Sequence, residues 1–153
     1  MIVGFGTGRC GTVSLSEYLH IWHEFKTVGQ SKYASEVDID KWRKELEARS
    51  KAFNHGVGDV SLDHINNLDY WLNQDVTRIL LWREQDDFVE SLSNYKTTWI
   101  WKRLFPQFDF KSKDGMRRFH DWYYDTCFKH ERDFVIIHPA QLPVKKNAGK
   151  HGV

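Results

Sequence analysis

The sequence predicts an α/β fold, a three-layer sandwich around a mostly parallel central sheet. Short apolar runs at residues 2–5, 77–82 and 133–137 alternate with segments of helical periodicity. The run Thr77-Arg78-Ile79-Leu80-Leu81-Trp82 has the continuous apolar character of a strand buried on both faces. A glycine loop joins the first strand directly to a helix-like pattern. With 153 residues the chain is expected to form one domain, 1–153, whose end from about 143 is a flexible polar tail.

Each element has its own signal. Leu15, Tyr18, Leu19 and Trp22 recur at helical spacing and predict a helix over about 12–22. Residues 23–28 read as extended, and 38–50 as an amphipathic helix with Ile39, Trp42 and Leu46 on one face. The glycine-punctuated stretch 52–60 carries a short strand around Val57, and Leu62, Ile65 and Leu68 then suggest a helix reaching Leu72. Residues 77–82 are expected at the centre of the sheet, followed by a helix from 83–86 through about Tyr95 with Phe88 and Leu92 inward. Residues 97–110 are aromatic and basic and show no usable period. A long helix over 116–130 and a last buried strand at 133–137 precede Pro139.

Composition excludes several classes. A net charge of +1 does not supply the basic footprint of a nucleic-acid binder. No apolar run approaches the roughly 20 residues of a membrane span, and no signal-peptide pattern precedes the first strand, so a cytoplasmic protein without membrane or nucleic-acid partners is expected. Two cysteines, Cys10 and Cys127, make neither a disulfide framework nor a zinc cluster. Oligomeric state has no signature here.

The loop Gly6-Thr7-Gly8-Arg9-Cys10-Gly11-Thr12 carries the chemistry. Between a strand and a helix it lets backbone N–H groups converge on an anion at the helix's positive end, so the expected ligand bears phosphate or sulfate. Arg83 follows a second strand, which puts two anion-binding features along one edge of the sheet, a nucleotide's length or so apart. Residues 6–11 match G-x-G-x-x-G, with Glu24 near the distance of a ribose-binding acid, but a dinucleotide-dependent oxidoreductase leaves Arg83 unexplained. A Walker loop fails because Thr12 stands in place of the lysine and Val13 in place of the magnesium-binding hydroxyl. A cysteine-phosphatase loop needs an arginine where Ser16 stands.

Two motifs resemble the sulfotransferase family, which uses 3′-phosphoadenosine 5′-phosphosulfate (PAPS). Gly8-Arg9-Cys10-Gly11-Thr12-Val13-Ser14-Leu15 is similar to its 5′-phosphosulfate loop, with Cys10 and Val13 as departures. The stretch from Ile79 through Arg83 to Ser91 is similar to its 3′-phosphate motif, an arginine at a strand end and a serine eight residues later. The resemblance implies a P-loop-like sulfotransferase fold and metal-free sulfuryl transfer to a hydroxyl or amine. Gly8, Arg9, Cys10, Gly11, Thr12, Val13, Ser14, Arg83 and Ser91 would hold the donor, with Arg9 also stabilising the leaving phosphate. An arginine fork and a serine two turns along the helix suit that 3′-phosphate. A PAPS-binding module without catalysis is the alternative.

For the general base, His23-Glu24-Phe25 resembles a His-Glu pair of some family members, and Glu24 is favoured, with His23 beside it. His55 is the second candidate, since its glycine-rich loop is expected to reach the top of the sheet, and Asp59 the third. The acceptor, a small molecule or carbohydrate, is not specified. Trp99, Trp101, Lys102 and Arg103 form either an aromatic and basic wall for it or a lid packed on the core. Residues 145–150 resemble a remnant of the family's closing basic segment.

Overall fold

The computed structural model describes residues 1–24 and 36–143, and the side chains of 1–23 and 39–143. Five strands, β1 (Ile2–Phe5), β2 (Trp22–Glu24), β3 (Gly58–Ser61), β4 (Thr77–Leu81) and β5 (Val135–Ile137), form one sheet in the order β2-β3-β1-β4-β5. Every pairing is parallel. The centre belongs to β1, flanked by β3 and β4, and not to the run at 77–82 as the sequence suggests. Val3 pairs with Asp59 on one side and Arg78 on the other. A cysteine-and-glycine-lined first strand end is thereby surrounded on both sides by other strand ends.

Among the described residues six α-helices cover this sheet: α1 (Thr12–Leu19), α2 (Glu36–Ala52), α3 (Leu68–Leu72), α4 (Gln85–Ser93), α5 (Trp99–Leu104) and α6 (Lys113–Phe128). They divide unequally. Val3, Phe5 and Leu80 share one core with Trp42 and Leu46 of α2, Trp71 of α3, Phe88 and Leu92 of α4, Trp101 of α5 and Phe119 of α6. On the opposite face Val60, Ile79 and Leu81 pack against Leu15 of α1 and against Leu142. The alternating apolar strands of the sequence thus acquire cover on both sides, as parallel sheets require.

Several expectations are revised. The helix expected over 12–22 stops at Leu19, where His20 turns left-handed as its C-cap, and Trp22 begins β2 instead. The last strand is not buried: β5 is the sheet's edge, with Val135 and Ile136 51% and 42% exposed. An apolar run cannot by itself tell an edge from an interior. The helix expected over 62–72 divides into a 3-10 turn, Leu62–Asn67, and the short α3. Within that turn the Ser61 hydroxyl donates to Asp63 Oδ1 at 2.7 Å, and His64 Nε2 donates to Asp59 Oδ2 at 3.0 Å, which draws both side chains inward. Residues 97–110 contain α5, too short at six residues to display a period. Its neighbour α6 begins where the Ser112 hydroxyl accepts from the Gly115 N–H at 3.0 Å, an N-cap that starts the helix at Lys113, three residues ahead of the expected 116. Of the described residues, no helix is long and apolar enough to cross a membrane. The tail from 144 lies outside the described residues.

Leu80 is fully buried in the larger core. Leu80→Ala should cost about 2–5 kcal/mol in urea unfolding, seen as a lower midpoint at unchanged slope.

Candidate anion-binding site

From β1 the chain crosses β3 to reach β2, whereas from β4 it continues outward to β5, so the connections diverge at the carboxyl ends of β1 and β4. Open α/β sheets bind ligands at that crevice. The glycine loop leaves one of these strand ends and Arg83 lies just beyond the other.

Residue identity shapes the loop directly. Gly8, Arg9 and Gly11 have φ of 75, 55 and 97°, all left-handed. A Cβ on Gly8 would stand 2.6 Å from Trp101 Cζ2 and 2.8 Å from Leu62 Cδ2, so only glycine fits beneath α5. Trp101 locks the contact, its indole N–H donating to the Thr7 carbonyl at 2.8 Å. Gly11 is the N-cap of α1 and offers no side-chain cap, and the first turn of α1 holds no acidic residue. The helix's leading N–H groups therefore keep their attraction for an external anion.

The two sequence motifs are in contact, closer than the nucleotide's length expected. Arg83 Nη1 donates to the Arg9 carbonyl at 2.6 Å, and Arg9 Nε donates to Ser91 Oγ at 2.9 Å. The Arg9 guanidinium lies 4.5 Å from the centroid of the Tyr95 ring. Its Nη1 is buried and has no partner among the described residues. Burial pulls the Arg9 pKa below its ordinary value, Tyr95 acting against this and the Arg83 cation with it. Arginine stays charged regardless, so the arrangement brings two guanidinium groups together at the adjacent ends of β1 and β4.

Cys10 has no access to solvent, and its sulfur occupies the space a Cβ on Gly6 would fill. Burial pushes the thiol up to about 11, against hydrogen bonds from Thr7 and Gly8. It is packing rather than a nucleophile. Thr12 and Ser14 are buried at the start of α1, with Val13 half-buried between them. His23, on β2, has Nε2 3.1 Å from Thr12 Oγ1, which brings it to the helix terminus that faces the anion site. Glu24 ends β2 opposite Ser61, and its side chain lies outside the described residues.

His55 does not reach the top of the sheet. It precedes β3, at the amino end of the strands, where its ring packs 4.2 Å from that of His20 and 4.4 Å from that of Trp22. The loop's glycines end the strand-preceding turn, not the strand-following one. Asp59 is buried in mid-strand on His64. The wall expected from residues 99–103 divides: Trp101 is core, while Trp99, Lys102 and Arg103 are exposed.

Several participants escaped the sequence reading. Neutral His120, its pKa lowered chiefly by burial, donates from Nε2 to the Arg83 carbonyl at 2.7 Å, and the Tyr124 hydroxyl donates to the Leu81 carbonyl at 2.6 Å. A cleft of about 250 Å³ beside Arg83 is lined by Cys10, Gly11, Glu84, Asp87, His138 and Pro139. There His138 Nε2 donates to Glu84 at 2.9 Å and holds that carboxyl below its usual range. Tyr95 had a partial signal, standing four residues after Ser91, just past the C-cap of α4. His120 and His138 had none, because their partners are distant backbone and side chains. No family model, no curated protein and no solved structure matches the chain.

Two predictions follow from buried groups. Burial pushes the Asp63 carboxyl up to about 6, opposed by His64 and by the Ser61 hydrogen bond. Its folded pKa exceeds the unfolded one, so its contribution favours folding below pH 4 and is lost as pH rises through about 6. Asp63→Asn should therefore be more stable than the parent at pH 7 by on the order of 2–3 kcal/mol, and level with it near pH 4, in paired urea titrations. Iodoacetamide at pH 8 should leave Cys10 and Cys127 unmodified in the folded protein and label both in denaturant, as read by mass spectrometry.

Proposed function

We propose that the protein binds PAPS and transfers its sulfuryl group to a hydroxyl or amine acceptor. The observation that carries this reading is the buried, unpartnered Nη1 of Arg9 inside a left-handed loop whose carbonyl Arg83 holds. A phosphosulfate fits these residues. The uncapped start of α1 and Arg9 suit its 5′ end. Ser91 accepts from Arg9 and keeps its own O–H to donate, and Arg83 spends one nitrogen on the loop and keeps the rest of its fork for the 3′-phosphate. That contact distinguishes the donor from ordinary adenine nucleotides.

When bound, the donor supplies an activated sulfuryl group whose bridging S–O bond breaks, with its electron pair leaving on the phosphate, as the acceptor's O–S or N–S bond forms. Arg9 and the α1 terminus stabilise the charge that develops on the leaving phosphate. His23 is the base in this reading. Its ring lies 3.1 Å from Thr12 Oγ1 at the start of α1, the helix end aimed at the donor, which is where the acceptor's proton would have to be taken up. Glu24, next in the chain, is the competing base.

One observation favours binding without turnover. Cys10 stands where the resembling motif has a hydroxyl, and its buried sulfur offers the ligand nothing. Calorimetry with 3′-phosphoadenosine 5′-phosphate should show at least about tenfold preference over adenosine 5′-phosphate, and Arg83→Ala should remove about 10- to 100-fold of that affinity. Equal affinity for the two nucleotides sinks the proposal. With labelled PAPS, His23→Ala should lower turnover by about 10²- to 10⁴-fold at unchanged donor affinity, whereas the same loss in Glu24→Gln alone would move the base to Glu24.

A further inference from the structure

The inner face of α5 is committed to the glycine loop through Trp101, and its outer face is open. Trp99, Lys102 and Arg103 stand at i, i+3 and i+4 and so share one side of the helix. Trp99 is 45% exposed, Lys102 and Arg103 are exposed, and exposed Lys96 lies in the preceding turn. Among the described residues none of these three cations has an ion-pair partner. This face is tied to the anion site at two points: Trp101 over Gly8 and on the Thr7 carbonyl, and Tyr95, packed 5.8 Å from the Trp101 ring, beneath the Arg9 guanidinium.

We propose that Trp99, Lys102, Arg103 and Lys96 dock the acceptor, and that the acceptor is an acidic glycan, a sugar chain bearing carboxylates or sulfates. The transfer itself rests on the sulfotransferase reading above; the docking does not. The exposed indole offers a flat apolar face to the C–H side of a sugar ring, while the cations three and four residues on meet its anionic substituents. A peptide would need a groove, a free strand edge or an aromatic-lined trough, and the outer side of a surface helix is none of these. A nucleic acid would need a wider basic footprint than a chain of net charge +1 provides. Because the inner face of α5 is pinned, the backbone that presents Trp99, Lys102 and Arg103 needs no ordering, and the cost left is that of fixing the Lys and Arg side chains. The outer face lies about one helix diameter, ~10 Å, from the loop, so an occupant reaching both is a chain and not a single sugar.

The test titrates the full chain with a heparin hexasaccharide, neutral maltohexaose, hexaglutamate and a hexathymidylate, at two salt concentrations, with 3′-phosphoadenosine 5′-phosphate binding measured alongside. The expected result is binding of the heparin hexasaccharide alone. Trp99→Ala should weaken it about fivefold or more, and the Lys102→Ala/Arg103→Ala pair about tenfold or more with a flatter salt dependence, the nucleotide affinity staying unchanged in both. Equal binding of maltohexaose, hexaglutamate or the oligonucleotide overturns the proposal, as does full affinity in Trp99→Ala. The nucleotide arm judges the sulfotransferase reading and the glycan arms judge the docking surface, so the two fail separately.

Discussion

The hydrogen bond from the Arg83 guanidinium to the Arg9 carbonyl joins the two halves of the site, with the bond from Arg9 to Ser91 as a second tie. It brings two cations together, which in isolation is unfavourable, and the surroundings reveal how the cost is met. Arg83 faces the negative end of a peptide dipole, and Arg9 spreads its charge over the Tyr95 ring and the Ser91 oxygen. One guanidinium nitrogen is still left without a partner. A buried donor without an acceptor costs on the order of 1–3 kcal/mol, and more when charged. An anion entering the loop would recover that cost, so the free-state arrangement is itself an argument for an anionic ligand.

The geometry of that bond is set from far along the chain. Parallel strands deliver all their carboxyl ends to one side, but the exact height of Arg83 depends on α6, where His120 and Tyr124 grip the carbonyls of Arg83 and Leu81. Gln85 adds a further tie, donating to Asp121 and to the Arg117 carbonyl. The unequal division of helices follows the same logic. The crowded face holds the elements that fix β4 and the loop from below and beside, through Phe88, Trp101 and Phe119. The sparser face is left to α1, whose start carries no side-chain cap and no acidic residue in its first turn.

Local chemistry was legible in the sequence where it depends on nearest neighbours. The strand, glycine loop and helix at residues 2–19, and the eight-residue interval between Arg83 and Ser91, come from turn geometry and helical repeat, which are short-range. Sheet order was not legible. Apolar runs at 77–82 and 133–137 look alike, yet one is interior and the other an edge, because that difference lies in what the chain packs beside them. The side-chain environment was legible least. Cys10 stands in the loop expected to hold the donor, but the same glycines that form the loop bring its sulfur against Gly6 and shut it from solvent. The inward turn of Asp63 and His64 likewise breaks a helix that hydrophobic spacing alone predicts.

The choice of base shows how topology can overrule residue type. His55 lies in a glycine-rich loop of the kind that binds ligands, but it enters β3 rather than leaving it. Four residues of strand put it about 13 Å below the carboxyl ends, on the wrong side of the core. His23 sits only one residue short of the end of its strand, in register with Val60 and Gly4, whose face α1 covers. That placement delivers its ring to Thr12, the first residue of the helix aimed at the anion. In a parallel sheet the crevice that a histidine can reach is therefore decided by which end of its strand it occupies, and His23, unlike His55, has both the carboxyl end and a contact to α1.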